Sequence, residues 1–194
     1  MSERPPSALI PDLGGPALAV VELESIARGF VVADALLKRA RARIGMAEAV
    51  TPGKFVILFG GEVAEVEESF RAAVEVAGTT LLDQLLLSQV AAPLAAGLQG
   101  RFHGREEESL GFVETQTVAS AVRSADAALK RADVFLTRLH LARGIGGKGY
   151  YGISGSLHMV QAGLEAAADA IDAAMLVTTE IIQRPHPEMR GRVT

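Results

Sequence analysis

The 194-residue chain contains no cysteine and no tryptophan. The missing thiol excludes disulfides, thiolate zinc sites and cysteine-ligated iron–sulfur clusters. It says nothing about redox compartment. Aromatic residues make up 5% of the chain, so a core has to come from the aliphatic part of its 49% hydrophobic content. No apolar run approaches the ~18–20 residues that span a bilayer. The opening Met1-Ser2-Glu3-Arg4-Pro5-Pro6 lacks the basic-then-apolar pattern of a signal peptide. The net charge of −4 provides no global attraction for nucleic acid or an anionic membrane. These absences set the expectation of a soluble, cytoplasmic protein with neither kind of partner.

What is present is said twice. Val21-Glu22-Leu23-Glu24-Ser25-Ile26-Ala27 and Val113-Glu114-Thr115-Gln116-Thr117-Val118-Ala119 lie 92 positions apart. At the same offset, Ala33-Asp34-Ala35-Leu36-Leu37-Lys38-Arg39-Ala40 returns as Ala125-Asp126-Ala127-Ala128-Leu129-Lys130-Arg131-Ala132, with seven of eight positions identical. A period this long is a whole domain folded twice rather than a solenoid unit. Domains of this size bury only a modest core alone, so they are expected to pack on one another or oligomerise.

Hydrophobic periodicity gives each copy the order β-α-β-β-α-β. In the first copy, strands are expected within 18–23, 44–50, 55–59 and 81–90. The helices begin after Ser25, a side chain suited to an N-cap, and near Val63. In the second copy, strands are expected at 111–115, 136–142, 149–154 and 176–183, with helices from about Thr117 and Leu157. Gly61 matches Gly155 at an offset of 94, so the second central loop is two residues longer. The expected fold is therefore α/β (α+β): two tandem βαββαβ, ferredoxin-like domains with mostly antiparallel sheets. The boundaries are a flexible N-terminal tail over 1–16, domains over 17–96 and 109–188, a linker over 97–108 and a C-terminal tail over 189–194. The run Glu106-Glu107-Glu108 reads as solvated linker.

No catalytic constellation emerges. Gly144-Ile145-Gly146-Gly147-Lys148-Gly149 matches a glycine-rich phosphate loop literally, but that chemistry needs the glycines to open a helix. Here they run into a strand, which makes a crowded turn the better reading. His103, His140, His158 and His186 have no metal-ligand spacing. Glu22 and Glu114 recur at equal sites, which fits a repeated structural hydrogen bond better than an acid–base pair. Lys38 and Lys130 sit where positive charge favours a helix C-terminus. No cofactor is expected.

Val21-Glu22, the Ala-Asp-Ala-x-Leu-Lys motif, the glycine-rich loop and Gln183-Arg184-Pro185-His186 together resemble the bacterial microcompartment shell domain. Two copies in one chain resemble its tandem-domain class, in the unpermuted type. The resemblance implies a non-enzymatic shell tile: a homotrimer of six domains, pseudo-hexameric, with a central pore for small metabolites. It implies partners as well, namely single-domain hexameric and pentameric shell proteins and the enzymes enclosed. The family's lattice-edge lysine maps to Lys38 and Lys130. Its edge arginine maps to Arg184, with Val90 as the first-copy equivalent. The pore loop maps to Val50, Thr51, Pro52, Gly53 and Lys54, and to Arg143, Gly144, Ile145, Gly146, Gly147 and Lys148. Lys54, Arg143 and Lys148 either surround the pore with positive charge or point sideways to carboxylates. Some tandem members hold an iron–sulfur cluster through cysteine at the pore, a route closed to this chain. The rival readings are a trimeric ferredoxin-like regulator that binds a small ligand between subunits, and an enzyme with its site between the copies.

Overall fold

Two strands of the first sheet are buried along nearly their whole length rather than on one face. All seven residues of β1 (Ala17–Leu23) are buried, as are seven of the eight in β3 (Lys54–Gly61). A strand reads this way when both faces of its sheet are covered. In the computed structural model, which describes residues 10–103 and 109–189, that is the arrangement. The first sheet has the order β2-β3-β1-β4, all antiparallel, with β2 at Arg43–Val50 and β4 at Leu81–Leu87. One face packs on α1 (Ile26–Arg39) and α2 (Val63–Ala77), where Val21, Leu23, Phe55 and Ile57 meet Val32, Leu36, Val66 and Ala73. The other face carries Val20, Val56, Leu58 and Leu85, and it is closed largely from the second half of the chain.

A short helix, α3 (Ala92–Leu98), follows β4, with Pro93 in its first turn, a position where the missing N–H costs nothing. No element was expected over 91–96, and a linker was expected from 97; Leu94 and Leu98 are instead buried in the core shared by the two domains. The second sheet repeats the first, in the order β6-β7-β5-β8: β5 Ser109–Thr115, β6 Phe135–Leu141, β7 Gly149–Gly155 and β8 Leu176–Ile182. Its helices are α4 (Val118–Arg131) and α5 (Leu157–Asp169). Ser25 caps α1 as expected, accepting from the Arg28 N–H, and Thr117 does the same for α4, accepting from the Ser120 N–H.

The N-terminal segment is packed, in contrast to the expected tail, from the point where the description begins. Ile10 is buried and donates its N–H to the Leu98 carbonyl, and Leu13 joins the same core. Residues 1–9, the acidic run 106–108 and the last residues, 190–194, lie outside the described residues.

Candidate pore rim and inter-domain joint

The joint between the copies is built on α4. This helix packs on its own sheet through β5, β6 and β7 and on the first sheet through β1 and β4. Nine of its residues are buried, including Val118, Ala119, Val122, Ala125 and Asp126. Its counterpart α1 buries only Gly29, Val32 and Leu36. The same helical pattern thus serves as a two-sided wedge in one copy and a one-sided cover in the other.

Polar groups lock α4 in place. The Glu22 carboxylate, with no solvent exposure, accepts the backbone N–H of Ala119 at 2.7 Å. An acidic group at a helix N-terminus meets both free donors and the positive end of the helix dipole. Its other oxygen has no hydrogen-bond partner, and the Lys54 ammonium stands 3.9 Å away. Burial pushes the Glu22 carboxyl up to about 7; the Ala119 hydrogen bond and Lys54 oppose that shift, and nearby Asp83 adds to it. Asp83 itself accepts from the hydroxyls of Thr117 (2.5 Å) and Ser120 (2.9 Å). At the far end of the helix, Asp126 accepts the Ala91 N–H at 2.8 Å and pairs with Lys130 at 2.6 Å. Lys130 in turn donates to the Gln89 carbonyl at 2.6 Å.

The two loops picked out as a pore rim lie side by side at one end of this joint. Thr51 precedes a cis proline, Pro52, and Gly53 takes φ 119°. In the second loop Gly144, Gly146 and Gly147 all have φ near 70°, a region in which only glycine is unstrained. A Cβ on Gly147 would fall 2.7 Å from the Thr51 carbonyl oxygen, so the two backbones touch where only hydrogen fits. The loop opens no helix, which agrees with the rejection of a nucleotide site.

The cations of the rim turn sideways. Arg143 grips the Glu48 carboxylate across the domain boundary through Nε (2.5 Å) and a terminal nitrogen (3.0 Å). Lys148 pairs with Glu114 at 2.7 Å. Lys54 donates to the Gln116 carbonyl at 3.0 Å and the Gly147 carbonyl at 3.5 Å, and faces Glu22. The repeated glutamates therefore differ in use: Glu22 caps a helix, whereas Glu114 holds a lysine. Glu48, Asp83 and Asp126 are the partners that the sequence reading missed. The equal spacing of Glu22 to Lys54 and of Glu114 to Lys148, offset only by the longer loop, was the available signal.

Of the expected edge residues, Lys38 is exposed and pairs with Asp34 at 2.6 Å, and Arg184 follows β8 with φ 53°. The register corrects the equivalence drawn for Arg184. Leu18 pairs with Leu87 and Leu110 pairs with Ile182. The offset has grown to 95 by the last strand, so the first-copy counterpart is Gln89, not Val90. Among the described residues no group of three or more His, Asp or Glu could hold a metal ion, and no helix is long and apolar enough to cross a membrane.

The BMC domain model matches the chain twice, over residues 17–91 and 109–185. The chain is a tandem-domain member of the microcompartment shell family. It is 34% identical over 174 residues to the bacterial microcompartment shell protein PduT of Citrobacter freundii, covering 89% of this chain and 95% of that one. A carboxysome shell protein of Hydrogenovibrio crunogenus matches 44% of the chain at 36% identity, over 90% of its own length. The crystal structure of a microcompartment protein from Desulfitobacterium hafniense superposes with a TM-score of 0.79 at 32% identity, covering 91% of this chain and 99% of that one. Within this family the two sheets and their helices are tandem BMC domains.

Proposed function

We propose that this shell protein works as a flat tile in which three chains close head to tail around a central pore, with no catalytic role. The observation that carries the reading is the wedge. One α4 sits against the outer face of the first sheet, while the equivalent face of the second sheet and the equivalent stripe of α1 stay uncovered. Repeating such a heterologous joint produces a closed ring when the rotation between domains divides a full turn. Six domains then need three chains. Tiles of this kind meet single-domain relatives at their edges, where Lys38, Lys130 and Arg184 stand, and the assembled shell surrounds its enzymes.

The loops 50–54 and 143–148 alternate around the axis of such a ring. Because Arg143 and Lys148 each pair with a carboxylate, and Lys54 turns inward to the Gln116 and Gly147 carbonyls beside Glu22, most of the positive charge of the rim is offset or withdrawn. That supports passage of small polar molecules without strong selection by charge sign. Native mass measurement tests the ring directly: a trimer is expected, and a monomer or dimer as the main species overturns it.

A further inference from the structure

We propose that Glu22 and Lys54 form a proton-operated clasp on the rim loop 143–148. With Glu22 neutral, Lys54 holds the Gly147 carbonyl; with Glu22 ionised, Lys54 is drawn off it and the loop is released. The clasp lies within one chain, and its effect on passage rests on the pore reading above.

Lys54 crosses from the first domain to the second. Its stem runs over Gly147, where a Cβ would fall 3.2 Å from the Lys54 Cδ. Its ammonium, on a side chain 19% exposed, donates to the carbonyls of Gln116 at 3.0 Å and Gly147 at 3.5 Å. An ammonium has three donors, and Glu22 Oε2 stands 3.9 Å from this one. That gap is about 1 Å too long for a charge-assisted hydrogen bond, which closes to ~2.8 Å. Glu22 Oε1 is taken by the Ala119 N–H, Oε2 has no hydrogen-bond partner, and the side chain is sealed from water. The gap fits an Oε2 that carries the proton and so presents Lys54 with a donor and no charge. Removing that proton leaves a buried, uncompensated carboxylate beside a cation that needs to move only about 1 Å to pair with it. The Gly147 bond is the longer of the two that Lys54 makes, so it is the one that yields.

The surroundings make Lys54 the responding group. Lys54 on β3 and Asp83 on β4 are the charges that act on Glu22, and Asp83 opposes its ionisation. The start of α4 presents only N–H groups, from Ala119 and Val118, and its first charged residue, Arg123, donates to the Gln84 carbonyl. On β2, Glu48 lies beyond Val56 in the register and is engaged by Arg143. Lys148 is paired with Glu114. The loop is pinned at its base, where the Ala142 N–H donates to the Lys148 carbonyl at 2.8 Å. The released stretch is therefore 144–147, with glycine at three of its four positions and the backbone freedom that glycine allows. Burial holds the Glu22 carboxyl at about 7, so the clasp is shut below that pH and open above it.

Crystal structures of the whole protein at pH 5.5 and 8.5 test this, with the distance from Lys54 Nζ to Glu22 Oε2 expected to close to ~2.8 Å at the higher pH. Hydrogen-exchange protection of the Lys148 amide, corrected for the intrinsic effect of pH, should fall about tenfold over the same interval. Glu22→Gln keeps the acceptor for Ala119 and turns an uncharged amide toward Lys54, so it should stay shut at both pH values. Lys54→Met should be open at both. If either variant fails to fold, the two wild-type structures decide. A Lys54 position that does not change with pH, or a change that persists in Glu22→Gln, overturns the clasp. Conductance across a reconstituted shell should rise from pH 5.5 to 8.5 in the wild type and stay level in Glu22→Gln. A Lys54 that moves without any change in conductance overturns the pore reading and leaves the clasp standing.

Discussion

Glu22 is the residue on which the joint turns. Its carboxyl is raised from an ordinary 4.5 to about 7, chiefly by burial. Between those values the folded chain holds a proton that the unfolded chain has released. Stability therefore falls as pH rises from about 4.5 to 7 and is level above that, with a total on the order of 3 kcal/mol. Glu22→Gln keeps an acceptor for the Ala119 N–H and removes the titration. Urea unfolding at pH 5 and pH 8 should show the difference between the two conditions shrinking in the variant by about 2–3 kcal/mol. An unchanged difference would place the proton elsewhere. That Glu22 matters was legible from its recurrence as Glu114. That it titrates was not, because burial of this one side chain depends on a helix 97 residues away in sequence.

At the scale of elements the two copies differ by paired exchanges. Gly29 in α1 lies against Phe55 in β3, and a Cβ there would fall 2.2 Å from the ring. The same site in α4 is Ala121, and the strand residue facing it is Gly149, whose own Cβ would fall 2.4 Å from the Ala121 methyl. Large and small have changed sides. Gly29→Ala and Gly149→Ala should each cost about 1–3 kcal/mol by overpacking. Ala121→Gly placed behind Gly149→Ala should recover part of that loss, as judged from urea midpoints. The strands and four long helices were legible from their periods, supported at Ser25 by a capping side chain ahead of the helix. Helix α3 and the packed segment from Ile10 were not. Ala92 to Leu98 is too short for a helical period to declare itself, and Ile10 ends a three-residue apolar run, Ala8-Leu9-Ile10, that is cut off by Pro11. Helix α3 is ordered against β6 and α4 of the second domain, and Ile10 in turn against Leu98 of α3.

For the whole molecule, the residues of the joint and rim divide into those satisfied within one chain and those left open. Lys130 already holds the Gln89 carbonyl and Asp126, whereas among the described residues Lys38 holds only Asp34. Lys130→Asp should loosen the chain itself as well as shell incorporation. Lys38→Asp should spare the urea midpoint of the chain and act only on assembly. At the rim, Arg143→Ala would leave Glu48 unpaired in every chain. Conductance across a reconstituted shell or a planar bilayer should then shift toward cations at low salt and return toward parity at high salt. No shift would mean that the loops do not line the passage. The family was legible from the repeat and its motifs, and sideways pairing of the rim cations was one of two readings the sequence left open; the partner of Arg143 was not legible, because Arg143 and Glu48 are 95 positions apart and meet only across the boundary between domains. The wedge of α4 has a last consequence, for how such a tile comes apart. Inside a chain, α4 and the first sheet belong to one polypeptide, so their local concentration is fixed by the connecting chain and not by copy number. Dilution can open only the joints between chains. A tile assembled this way sheds domains two at a time, and half of its seams are indifferent to how much protein the cell makes.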